Sequence, residues 1–142
     1  MAEQKTVALT GEQIMNAFGQ EKIRLEDINR RMASVQNLLQ EVFFAKESLT
    51  AVKKAKKGEK AMVALGAGVY LNVLIDKNTK VKSSYAGNVI MEKEISKVIE
   101  EIEAREKETA EKLEQLEKQQ KASYANLNAL GQIINNAGKR QK

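Results

Sequence analysis

The sequence predicts a mainly helical α+β protein in which two long helices return on each other as an antiparallel coiled-coil hairpin, joined by two short β-hairpins. Three observations lead there. Ala, Glu, Leu, Lys and Arg supply 70 of the 142 residues, the bias that marks long helices and coiled coils. Proline is absent, and glycine is missing for 38 residues between Gly19 and Gly58 and for 43 between Gly87 and Gly131. Between those stretches lie Gly58, Gly66, Gly68 and Gly87 with a concentration of β-branched residues, the composition of strands and turns. The length suits one domain spanning residues 1–142.

The first helix should open at Thr10-Gly11-Glu12-Gln13, where Thr10 caps and Gln13 answers it as the partner of a capping box. Alternating steps of four and three from Ile14 visit Phe18, Glu21, Leu25, Ile28, Met32, Val35, Leu39, Val42, Lys46 and Leu49, so nine of eleven positions are apolar. That is a heptad seam. The helix is expected over about 11–57, roughly 70 Å at 1.5 Å per residue. Lys53, Lys54, Lys56 and Lys57 suit the negative end of its dipole, and Gly58 terminates it.

The β segment occupies about 60–91. Ala61–Leu65 and Val69–Ile75 flank Gly66-Ala67-Gly68, a turn able to take positive φ, and form the first expected hairpin. Val69, Leu71, Val73 and Ile75 alternate with Tyr70, Asn72 and Leu74, giving one apolar and one mixed face. Asp76-Lys77-Asn78-Thr79 turns the chain, and Val81–Tyr85 and Asn88–Met91 around Ala86-Gly87 form the second hairpin. Four short strands bury little alone. The sheet should therefore complete itself against other subunits, with Val63, Leu65, Val69, Leu71, Val73, Ile75, Val89 and Met91 as the contact residues.

The second helix is expected over about 92–137. The same stepping gives Ile95, Ile99, Ile102, Glu106, Thr109, Leu113, Leu116, Gln120, Ser123, Leu127, Leu130 and Ile134, eight of twelve apolar. Glu100, Glu101, Arg105, Lys107, Glu108, Glu111 and Lys112 allow short-range ion pairs on its outer faces. Two helices of similar length, joined by a small β segment, are placed to pack antiparallel.

The missing residue types exclude much chemistry. With no His and no Cys there is no zinc finger, no Cys/His nucleophile, no Ser-His-Asp triad and no disulfide. No catalytic, metal or cofactor site is expected. Gly66-x-Gly68 is followed by Leu71 and a strand, not by the third glycine and helix of a dinucleotide fingerprint, so it reads as a hairpin turn. Lys53–Lys60 could meet phosphates, but no aromatic residue is interleaved for stacking, and helix capping and solubility account for it better. The formal charge of +5 is spread along the chain, as on a solvated surface. No apolar run spans a bilayer, and Met-Ala-Glu-Gln-Lys-Thr lacks a signal-peptide pattern, so a soluble cytoplasmic protein is expected.

The chain ends carry a second candidate surface. Val7, Leu9, Ile14, Met15 and Phe18 at one end, and Leu127, Leu130, Ile133 and Ile134 at the other, would converge at the tip of the helix hairpin. They either zip the coiled coil shut or leave an adaptable apolar surface for partners.

A helix, then Leu65-Gly66-Ala67-Gly68-Val69-Tyr70, a second hairpin, Val89-Ile90-Met91-Glu92-Lys93 and a second helix together resemble the prefoldin family, specifically its alpha-type subunits of archaeal kind, which have two β-hairpins. The resemblance implies a β-barrel platform built by the hairpins of two alpha and four beta subunits, with coiled-coil tentacles projecting from it. It implies an ATP-independent holdase whose tips bind non-native polypeptides and pass them to a group II chaperonin. The alternatives are a structural coiled-coil scaffold or filament component and, less in keeping with the composition, a basic nucleic-acid-binding hairpin.

Overall fold

Thr10 and Gln13 start the first helix by capping each other: the Thr10 N–H donates to Gln13 Oε1 at 2.9 Å, and the Gln13 N–H donates to Thr10 Oγ1 at 3.2 Å. In this computed structural model, residues 8–76, 80–84 and 86–140 are described. The chain runs α1 (Gly11–Lys54), β1 (Lys60–Gly66), β2 (Val69–Leu74), β3 (Lys80–Ser84), β4 (Ile90–Glu94) and α2 (Ile95–Lys139). The mainly helical α+β class, two long helices with two antiparallel hairpins, is as expected. No helix among the described residues is long and apolar enough to cross a membrane.

Contacts divide the chain into two units, to each of which both helices contribute. The first, residues 1–36 and 111–142, pairs the early part of α1 with the late part of α2. Phe18 lies 3.9 Å from the position a Cβ on Gly131 would occupy, and Gln120 Nε2 donates to Asn29 Oδ1 at 2.6 Å. Rising numbers on α1 meet falling numbers on α2, so the helices are antiparallel. Ile28, Val35 and Leu116 form the buried apolar core of this unit.

The second unit, residues 37–110, holds the two hairpins with the adjoining stretches of both helices. Val42, Ala55, Ile95 and Val98 are its buried apolar residues. Its seam includes Lys46 Nζ donating to Glu106 Oε2 at 2.5 Å, with both side chains about one quarter exposed. Of the three charged residues that interrupt the seams, Glu21, Lys46 and Glu106, the last two thus meet each other.

α1 stops at Lys54, three residues before the expected Lys57. Residues 56–59 form a turn in which the Glu59 N–H donates to the Lys56 carbonyl at 3.1 Å and Gly58 takes φ +83°. Strand pairing has already begun there, because the Gly58 N–H donates to the Ile75 carbonyl at 2.7 Å and the Ile75 N–H to the Glu59 carbonyl at 2.9 Å. α2 likewise begins at Ile95, not near 92, because Glu92–Glu94 belong to β4. It continues to Lys139, two residues past the expected end.

In the first hairpin Ala61 pairs with Val73, Met62 with Asn72, Val63 with Leu71 and Ala64 with Tyr70, before a bulge brings Gly66 opposite Val69. The turn is Ala67-Gly68, with φ +49° and +77°, the pair of positive values that a type I′ turn requires. The second hairpin differs from the expected two-residue turn. Ser84 pairs with Ile90, leaving a five-residue loop, and β4 is shifted to Ile90–Glu94. The shift places Lys82 opposite Glu92 and Lys80 opposite Glu94, cross-strand pairs of opposite charge that favour this register. Lys77–Thr79 and Tyr85, assigned to turn and strand from the sequence, lie outside the described residues.

Candidate functional site

Two apolar surfaces stand out, and both include residues singled out in the sequence. On the first hairpin, cross-strand pairing puts Ala61, Val63, Leu71 and Val73 on one face and Met62, Ala64, Tyr70, Asn72 and Leu74 on the other. Neither face is covered: Val63, Leu65, Val69 and Leu71 are 46–62% exposed, and Met62 and Leu74 reach 71% and 67%. Only Ala61, Val73 and Ile75 are half-buried. Each hairpin is a separate two-stranded sheet, so β1, β2, β3 and β4 each present an unpaired edge among the described residues.

The second hairpin is similar on one strand. Ile90 and Met91 are exposed, and Val89, expected within the strand, lies in the loop just before it and is 56% exposed. The sequence reading missed Met62, Tyr70, Leu74 and Ile90 as surface residues. Alternation assigns a strand one apolar face, whereas here apolar residues fall on both, and only the pairing register shows that both are open.

The residues expected at the tip separate into two groups. Ile14, Phe18, Leu127, Leu130 and Ile134 are half-buried, at the seam positions that the heptad stepping assigns them. Leu9, Met15 and Ile133 are exposed at 56%, 56% and 48%. Val7 lies outside the described residues. A shallow recess of about 440 Å³ beside Phe18 is lined also by Leu127, Gly131 and Asn135. Lys22 Nζ sits 5.1 Å from the centre of the Phe18 ring, near enough for a cation–π contact.

The seam of this unit also contains polar atoms without partners. Ser123 is 1% exposed, and its Oγ, like Glu21 Oε1, is buried with no hydrogen-bond partner. Further apolar residues lie outside both candidate surfaces: Ile23 is 69% exposed, and Phe43 and Phe44 form an edge-to-face pair, centroids 6.0 Å apart, on the outside of α1. They fall off the seam, and heptad stepping passes over them.

Among the described residues, three side chains held in two ion pairs are shifted from their ordinary values. The hydrogen bond from Lys46 to Glu106 raises the lysine above its ordinary value near 10.5. The hydrogen bond with Lys118 lowers Glu114 below its ordinary 4.5, and that same bond raises Lys118. None of these pairs lies in an enclosed cleft of the kind that tunes a catalytic acid or base. Among the described residues, no group of three or more acidic side chains is placed to hold a metal ion.

Comparison with known proteins agrees with this geometry. No curated protein matches the sequence significantly. Among solved structures, the chain resembles the filamentous PFD of Methanocaldococcus jannaschii, determined by cryo-EM, at a TM-score of 0.66 and 19% identity over 81% of this chain and 95% of the other. That likeness is one of fold. The family model for prefoldin subunits matches residues 22–140, both helices and both hairpins apart from the first turns of α1, and the chain belongs to the prefoldin subunit family.

Proposed function

We propose that the chain is an alpha-type prefoldin subunit: an ATP-independent holdase that binds non-native polypeptides and delivers them to a group II chaperonin. The observation that carries this reading is the pair of uncovered β-hairpins, apolar on their faces and unpaired at their edges, in a chain of the prefoldin family. A two-stranded sheet is marginal in water, so these hairpins serve as assembly elements. Joined to beta subunits as a hexamer of two alpha and four beta chains, they would close into a β-barrel platform. Two hairpins per chain support the alpha type, and a cytoplasmic location accords with the absence of cysteine.

Client holding falls to the ends of the helices, where Leu9, Met15 and Ile133 are exposed beside a half-buried seam. Several such tips acting together hold a chain by avidity, with no deep pocket. The test is suppression of aggregation of an unfolded model protein without nucleotide, read beside the mass of the protein with and without its native partners. Protection by the assembled oligomer supports the holdase, and an assembled oligomer that gives none refutes it.

A second reading has one specific observation behind it: the matched structure is of a filamentous PFD. A chain that polymerises through the same hairpins would serve as a scaffold without client transfer. Mass measurement and electron microscopy of the purified chain separate the two, since the hexamer closes and the filament grows with concentration.

A further inference from the structure

Charge disappears from the late part of α2. Residues 100–121 hold 13 charged side chains in 22, whereas residues 122–138 hold none in 17 and carry five Asn and Gln instead. Asn is a poorer helix former than the Glu and Lys that precede it and makes no ion pair across a turn. This stretch therefore gives up helix stability that the earlier stretch keeps, and it does so where the recess beside Phe18 lies.

The recess has an apolar part and a polar part. Phe18, Leu127 and Gly131 supply the first, and Gly131 adds to its width, since a Cβ there would come within 3.9 Å of Phe18 Cε2. Asn128, Gln132 and Asn135 supply the second, and all three are exposed. Spaced at i, i+4 and i+7, they form one stripe along α2. None of these three amides has a hydrogen-bond partner among the described residues, in contrast with Gln120, which is bonded to Asn29. Lys22 is the single charged side chain in the lining, and its ammonium lies over the Phe18 ring.

We propose that this recess is a subsite that reads the main chain of an extended, non-native polypeptide segment. One apolar side chain of the segment enters beside Phe18, and the Asn128, Gln132 and Asn135 amides exchange hydrogen bonds with its peptide groups. The proposal rests on the holdase reading and names the chemistry by which a helix end holds a client. Spacing supports it: from Asn128 to Gln132 the helix rises about 6 Å, close to the roughly 6.6–6.8 Å between peptide groups that point the same way along an extended strand. Each carboxamide both donates and accepts, so it pairs with an N–H or a C=O of whichever residue lies against it. A folded protein has those groups engaged in its own secondary structure, whereas a non-native chain has them free. The stripe thus distinguishes the two states, while an apolar patch alone reads only side chains. A lining with one cation is a poor match for the repeated phosphates of a nucleic acid.

The probes are three fluorescein-labelled peptides of alternating Leu and Ser, one unmodified, one N-methylated at every Leu and one at every Ser, each titrated into the full-length protein. N-methylation removes the N–H groups along one edge of the extended peptide. The peptide whose blocked edge faces the stripe should bind roughly tenfold more weakly than the unmodified one, as expected for two hydrogen bonds lost. The combined variant Asn128→Ala, Gln132→Ala and Asn135→Ala removes the amides and raises helix propensity, so it should fold, show the same loss for the unmodified peptide and protect an unfolded model protein less well. A site that reads side chains alone would bind the variant as tightly as wild type or more so. That result, or equal affinity for all three peptides, overturns the proposal. So does a peptide affinity that falls as protein concentration rises, the sign of a second copy in the recess. Protection of the unfolded protein by wild type is read in parallel: if it is absent, the holdase reading fails and the subsite with it, and if it is present without discrimination among the peptides, the subsite alone fails.

Discussion

Replacing Leu9, Met15 and Ile133 together by Ser removes the exposed apolar surface at the helix ends and leaves the seam intact. Full burial of a side chain of this size is worth roughly 1.5–3 kcal/mol. These three keep about half their surface in water, at 56%, 56% and 48% exposure, so each has about 1 kcal/mol left to gain from a client. Losing about 3 kcal/mol per tip weakens each tip contact roughly a hundredfold at 1.4 kcal/mol per decade, and avidity compounds the loss across tips. The control is Phe18→Ser with Leu130→Ser, which cuts into half-buried seam positions and lowers thermal stability by a few kcal/mol at most, since full truncation of a core Phe costs about 3–5. Light scattering of an unfolded model protein reads protection, circular dichroism reads melting, and mass measurement confirms assembly. The exposed-residue variant should assemble and melt like wild type yet protect poorly. If it protects fully while the seam variant loses protection in step with its melting temperature, the helix ends are coiled-coil closure and the holding surface lies elsewhere.

Three further outcomes are expected. Leu71→Glu with Ile90→Glu puts charge on the exposed faces of both hairpins, so size-exclusion chromatography with light scattering should show loss of the oligomer while the helical circular dichroism persists; an unchanged mass would place the interface off the hairpins. Ser123→Ala removes a buried hydroxyl that has no partner and should stabilise the protein by about 1 kcal/mol, a rise of roughly 2–4 °C in melting temperature at fixed subunit concentration; a fall in melting temperature would show that the hydroxyl is bonded. Because Lys46 is raised by Glu106, the stabilisation from this pair is complete below pH 10.5 and is lost as pH climbs through the raised value, so an alkaline melting series should separate wild type from Lys46→Met; parallel curves would show that the pair contributes nothing.

The helices were legible because their signal is redundant. Every seam position from Ile14 to Leu49 and from Ile95 to Ile134 is buried or half-buried, including the polar ones, since heptad spacing fixes direction whatever side chain occupies it. Element ends were less legible. Lys56 and Lys57 continue a helix-favouring run, and only the long-range bonds from Gly58 and Glu59 to Ile75 show that the chain has already left α1. The second hairpin was misplaced for a related reason: Ala86-Gly87 resembles a tight turn, but the opposed charges of Lys80, Lys82, Glu92 and Glu94 set a longer loop. Among the residues at the chain ends, spacing marked Ile14, Phe18, Leu127, Leu130 and Ile134 as seam, while the exposure of Leu9, Met15 and Ile133 depends on where α1 begins and on helix faces that a list of apolar residues does not distinguish.

The polar seam positions look from the sequence like weak points, yet their pairing gives them a specifying role. Sliding one helix by a heptad would carry Lys46 from Glu106 to Leu113 or Ile99, leaving a partly desolvated ammonium against an aliphatic side chain. Breaking such a pair costs more than forming it gains, so its main effect is to penalise wrong registers. The bond from Gln120 to Asn29 acts in the same sense in the other unit, with neutral partners. Register held by polar contacts does not require every apolar position to be sealed. α1 and α2 can therefore stay aligned while Phe18, Leu127 and Leu130 remain half-open and Met15 and Ile133 remain exposed. A purely aliphatic seam would lose this penalty on wrong registers, whereas Met15 and Ile133, which lie off the seam positions, would stay exposed in either case, so the surface proposed for clients depends on helix face and not on the polar contacts.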